Sequence, residues 1–89
     1  MGESMREIIL DCSGIANKRQ LHEALKAALC LPEWYGKNLD ALFDCLTELD
    51  DETHLILQNW DHDAPFACGF ESVFTDAATE NKAFTYTII

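Results

Sequence analysis

Eighty-nine residues leave room for a single core, and the chain reads as one domain over residues 1–89. An apolar share of 48% beside 25% charged residues excludes disorder as the general state. Sixteen acidic against six basic residues give a net charge of −10. That sign argues against nucleic acid and anionic membranes, which need cations on the protein, and points to a cationic partner.

The start, Met1 to Arg6, has no basic stretch followed by an apolar core, so no signal peptide is expected. Met1 to Ser4 reads as an upstream or disordered start, with Met5 as the natural initiator. The longest apolar run, Ala27 to Leu31, is far too short to span a bilayer. Cys12, Cys30, Cys45 and Cys68 form no Cys-x-x-Cys pair. They read as reduced thiols acting as small hydrophobes in apolar neighbourhoods, and the expected location is cytoplasmic.

Arg6 to Cys12 is a short apolar run stopped by Ser13-Gly14, which predicts a first strand. Asn17, with Gln20 three residues on, resembles a capping box. Leu21, Ala24, Leu25, Ala28 and Leu29 then recur on one helical face until Pro32 ends the helix. A loop from Pro32 to Lys37 leads to Asn38, a good N-cap for a second helix over Leu39 to Leu49. His54 to Gln58 is a continuous apolar run with polar flanks and predicts a central parallel strand. Asn59 to Gly69 predicts irregular structure or one helical turn. Phe70, Val73, Phe74 and Ala77 line a further helix ending near Asn81, and Phe84 to Ile89 alternates as a last strand. The order implies an α/β domain with a three-stranded parallel sheet and three to four helices.

The second helix concentrates the chemistry. At 100° per residue, Asp40, Asp44, Thr47, Glu48 and Asp51 share one sector opposite the leucines. Like charges four apart destabilise a helix by about 0.2–0.5 kcal/mol per pair. Only Asp40 lies where the helix dipole favours an acid. A face tuned for solubility alone would interleave lysines. Beside it lie Trp34 and Tyr35 on a loop containing Gly36, rigid anchors of the kind binding surfaces use. The competing reading folds one of those rings inward as a staple. The pattern by itself describes an acidic, aromatic-rimmed protein-binding surface.

The segment Leu31-Pro32-Glu33-Trp34-Tyr35-Gly36-Lys37-Asn38-Leu39-Asp40-Ala41-Leu42-Phe43-Asp44-Cys45-Leu46-Thr47 closely resembles the signature segment of the barstar family, intracellular inhibitors of barnase-type ribonucleases. Leu21-His22, Leu55 to Leu57 and Val73 to Ala77 extend the resemblance over nearly the whole chain. It implies a proteinaceous inhibitor of a basic, secreted-type ribonuclease, monomeric when free, plugging the active site with the second helix and the loop before it. Asp44 matches the aspartate that occupies the nuclease's phosphate site. A carboxylate offers two acceptor oxygens to a guanidinium fork, as a phosphate does. Asp40 matches another interface acid, Trp34 stands where the family has a stacking tyrosine, and Asp76 aligns with a glutamate of the rim. Tyr35, Gly36, Asn38, Phe43, Thr47 and Glu48 complete the expected contact set.

This chain departs from the family pattern in several places. Glu48-Leu49 replaces a Gly-Trp pair, Asp76 is one methylene shorter, and the shorter Asn59 to Gly69 stretch implies a truncated third helix. The departures keep a second reading open, a barstar-like immunity or adaptor protein for a different cationic toxin or enzyme. A third reading, a small acid–base enzyme using Asp44 with Asp76 or His22, lacks any nucleophile motif, phosphate loop or nucleotide fingerprint. No cofactor or metal is expected. Asp61-His62-Asp63 reads as an exposed polar turn, because adjacent ligands converge poorly on one ion. His22 reads as a packed or capping group.

Overall fold

A computed structural model describes residues 6–89, so the reading of Met1 to Ser4 as an upstream start lies outside the described residues. The elements run β1 (Arg6–Asp11), α1 (Lys18–Leu29), α2 (Leu39–Thr47), β2 (Thr53–Gln58), α3 (Ala67–Glu80) and β3 (Phe84–Ile88). The three strands form one parallel sheet in the order β1-β2-β3, as the α/β reading expected. Three helices are present among the described residues. The segment between Asn59 and Phe66 holds turns and no helix, which resolves the expected three to four downward.

Strand order follows chain order, and right-handed crossovers then carry every helix to the same side of the sheet. The register sets Ile8, Leu10, Leu55, Leu57, Phe84 and Tyr86 on the face toward the helices. Phe74 of α3 meets the rings of Phe84 and Tyr86 at centroid distances of 6.4 Å and 5.5 Å. Fully burying a side chain of this size contributes about 1.5–3 kcal/mol. β2 is the central parallel strand expected, and its opposite face is open. His54, Ile56 and Gln58 are only half-buried and Ile9 is 59% exposed, so β2 is central without being covered on both sides. A continuous apolar run cannot distinguish the two cases, because one-sided cover depends on crossover topology.

The helix boundaries have local causes. Asn17 caps α1, its side chain accepting from the Gln20 N–H at 2.9 Å. Gln20 in turn accepts from the Ala16 N–H at 2.7 Å, one residue before the partner a capping box would use. α1 ends on Cys30, whose left-handed backbone (φ 54°) lets its N–H reach the Lys26 carbonyl. α3 begins at Ala67, ahead of Gly69, where the sequence suggests a loop. Gly69 belongs inside the helix because it faces α2: a Cβ there would stand 2.9 Å from Leu39 Cδ1. α2 stops at Thr47, two residues short of the expected Leu49, and Glu48 takes the cap position.

Candidate functional site

The acidic face begins with a well-built helix start. Asn38 accepts from the Ala41 N–H at 2.8 Å, and its amide donates to the Gly36 carbonyl at 3.4 Å. One side chain therefore caps α2 and ties it to the preceding loop. Leu42, Cys45 and Leu46 turn into the core, with Leu39, Phe43 and Leu49 packed against it. The opposite side presents Asp40, Asp44 and Glu48, all exposed and successively four residues apart. Thr47 lies half-buried on the flank and donates its hydroxyl to the Asp44 carbonyl at 3.0 Å. The far end of α2 is held from α3: the Asn81 amide donates to the carbonyls of Leu46 and Leu49, both at 3.0 Å.

The nearby lysines are directed elsewhere. Lys37 pairs with Glu23 of α1 at 3.6 Å, and Lys26 with Glu33 at 3.6 Å. Among the described residues, no cation of this chain forms a salt bridge with Asp40, Asp44 or Glu48. The field of these acids registers beneath them. Burial pushes the Cys45 thiol above its usual value, and Glu48 and Asp44 push it further. What the face can do chemically is offer carboxylate oxygens to an external cation.

The two loop aromatics part company. Trp34 stands 65% exposed, whereas Tyr35 is turned inward at 4%. Tyr35 is the ring that folds inward as a staple and joins the core of the free chain. Its hydroxyl bonds His22 Nδ1 on α1, and burial drives its phenol pKa upward. His22 is indeed packed, at 3% exposure, with the Phe70 ring 4.7 Å from its own. Sequence reasoning missed the pairing, because His22 and Tyr35 lie thirteen residues apart with a helix end between them. Gly36 is exposed, and a Cβ there would stand 3.1 Å from the Asn38 amide nitrogen, so the close loop-to-cap approach favours glycine.

Asp76 is exposed on α3. It borders a shallow depression with Cys68, Thr75 and Tyr86, to which α2 contributes no residue. Asp61, His62 and Asp63 are exposed on the turn before α3, where His62 meets Glu71 Oε2 at 3.0 Å. Cys12 and Cys45 are buried as expected, but Cys30 and Cys68 are exposed, against the expectation of apolar surroundings for all four. Each of these two sits at a helix terminus or outer face, and a count of apolar neighbours in sequence does not see that.

The described residues form a one-sided α/β sheet whose second helix presents exposed acids, with an exposed tryptophan on the loop before it. Residues 5–88 match the family model described as Barstar (barnase inhibitor). The chain belongs to the barstar family. It is also 44% identical over 63 residues to the Bacillus subtilis (strain 168) protein named "Putative ribonuclease inhibitor YrdF", a match covering 70% of this chain and 69% of that one.

Proposed function

We propose that this protein is a non-catalytic inhibitor of a basic, barnase-type ribonuclease, acting as a monomer that plugs the active site with α2 and the Pro32–Lys37 loop. Membership of the barstar family supports the inhibitory role, and the name of the Bacillus subtilis relative agrees with it. The observation that carries the mechanism is the set of three exposed acids, Asp40, Asp44 and Glu48, which form no salt bridge among the described residues.

In this reading Asp44 enters the pocket where the nuclease holds a scissile phosphate. Its two oxygens accept from the guanidinium and imidazole groups that would otherwise hold RNA. Asp40 and Glu48 flank it one helical turn away on either side. Trp34 covers the mouth of the site as an aromatic anchor, and Asn38, Gly36, Phe43 and Thr47 form the surrounding contact. Asp76 stands outside this centre and contributes to the long-range field. No membrane is needed, and no helix among the described residues is long and apolar enough to cross one.

Displacement of a nucleotide tests the plug. A barnase-type ribonuclease is loaded with a nucleoside monophosphate at its active site and titrated with this protein. Release of the nucleotide with a one-to-one end point is expected. A complex that forms while the nucleotide stays bound contradicts active-site occlusion and favours an adaptor for another surface.

A further inference from the structure

The Trp34 loop is short, exposed on its outer side, and fastened at few points. Its backbone is held by the Tyr35 N–H donating to the Pro32 carbonyl at 3.0 Å and by the Asn38 amide on Gly36. Its side chains are held by two exposed ion pairs, Lys37–Glu23 and Lys26–Glu33, which are worth little in water. The remaining fastening is of another kind. Tyr35 plunges beneath the loop and ends on His22, and both are buried. Trp34 and Tyr35 are adjacent, so whatever fixes the Tyr35 ring also restrains the backbone from which the exposed Trp34 ring projects.

We propose that His22 is a positioning residue for the partner-binding loop: in its neutral form it anchors Tyr35, and through Tyr35 it holds Trp34 in the orientation that meets the partner. This rests on the reading of Trp34 as a contact residue and adds a group that touches no partner.

The chemistry of the pair supplies the dependence on protonation. In this proposal neutral His22 is the Nε2–H tautomer, whose Nδ1 accepts a hydrogen bond from the Tyr35 hydroxyl. Once protonated, Nδ1 carries its own hydrogen and can no longer accept. The hydroxyl must turn round, and a full charge is left against the Phe70 ring in a largely dry setting. The surroundings do little to soothe that charge. Lys18, one turn earlier on α1, and Lys37 from the loop border the same cleft, with Asp40 at the start of α2 as its single acid, and Glu23 is engaged by Lys37. Burial, and then Lys18, hold the His22 pKa below 6.5. The neutral pair therefore contributes its full stabilisation above pH 6.5 and loses it as pH falls toward the lowered folded value.

The test is an NMR pH titration of the free protein, carried from above to well below pH 6.5, on the parent and on Tyr35→Phe. That variant keeps the buried ring and removes only the hydroxyl. The His22 ring, the Trp34 indole N–H and the loop amides are expected to titrate with one midpoint in the parent. In Tyr35→Phe the loop amides should exchange faster at every pH and lose their shared midpoint, although the chain remains folded. If only about a tenth of such molecules hold the loop in place, ribonuclease inhibition weakens about tenfold. A His22 titration that leaves the loop signals unmoved overturns the proposal, as does a Tyr35→Phe loop as protected as the parent's. A coupled loop in a protein that inhibits no ribonuclease would instead sink the functional reading and leave the coupling standing.

Discussion

Asp44 carries the strongest single-residue expectation. Its carboxylate accepts no hydrogen bond among the described residues; only its backbone carbonyl is engaged, by Thr47 and Glu48. Truncation to alanine removes two repulsions, with Asp40 and Glu48, and installs the better helix former. Stability should be unchanged or rise by about 0.5–1 kcal/mol. Binding should move the other way, by about 2–5 kcal/mol, because the partner's cations are left desolvated and unpaired. Barnase–barstar pairs themselves contribute to that range. A denaturant melt checks the first half, and a destabilised Asp44→Ala would mean that the carboxylate is structural. The thiols give a second expectation at this scale. Cys30 and Cys68 should label quickly in the native protein, whereas Cys12 and Cys45 should label only on unfolding. Burial raises both buried thiol pKa values and so lowers their thiolate fraction. Mass spectrometry of the modified protein gives the count, and four equally fast sites would contradict the burial.

At the scale of elements, Asn81 is the link between α2 and the rest of the chain. Its amide serves the last carbonyls of α2, and its Oδ1 accepts from the Ala83 N–H at 3.0 Å at the entry to β3. Each such bond nets about 0.5–1.5 kcal/mol, and orphaned carbonyls add to the loss. Asn81→Ala should therefore cost about 2–4 kcal/mol in a denaturant melt while leaving the acidic side chains in place. A neutral substitution would show that α2 is held by core packing alone. The elements themselves were largely legible in the sequence. Period and caps locate α1 and α2, and alternation locates β3. The elements misjudged share a cause in tertiary contact. Gly69 lies within a helix, at a close approach to Leu39 where an added Cβ would require that side chain to shift. Of Trp34 and Tyr35, the ring that faces inward is the one that meets a histidine on α1, a contact that sequence spacing does not reveal. The acids of α2 were legible because helical spacing alone aligns them, and their lack of partners was not, because Lys37 reaches back to α1.

The whole molecule carries its −10 charge into every encounter. Long-range attraction to a basic partner accelerates association and is screened by salt, while the buried contacts that govern dissociation are screened less. Stopped-flow measurements should therefore show the association rate falling steeply with salt, with a weaker change in dissociation. An association rate indifferent to salt would detach the net charge from the function. The sheet adds a constraint of its own. With all the helices on one side and α2 presenting its acids outward, the acidic surface and the core are formed by opposite faces of the same helix, so substitutions can be sorted by face. The central claim is that the outward face stops a ribonuclease. Its most direct measurement is residual RNA cleavage by a barnase-type ribonuclease titrated in parallel with the parent protein and with Asp44→Ala. The account predicts that the parent abolishes cleavage at one equivalent, and that the variant, folded and no less stable, needs a large excess. A parent that leaves cleavage intact, or a variant that inhibits as well as the parent, contradicts it.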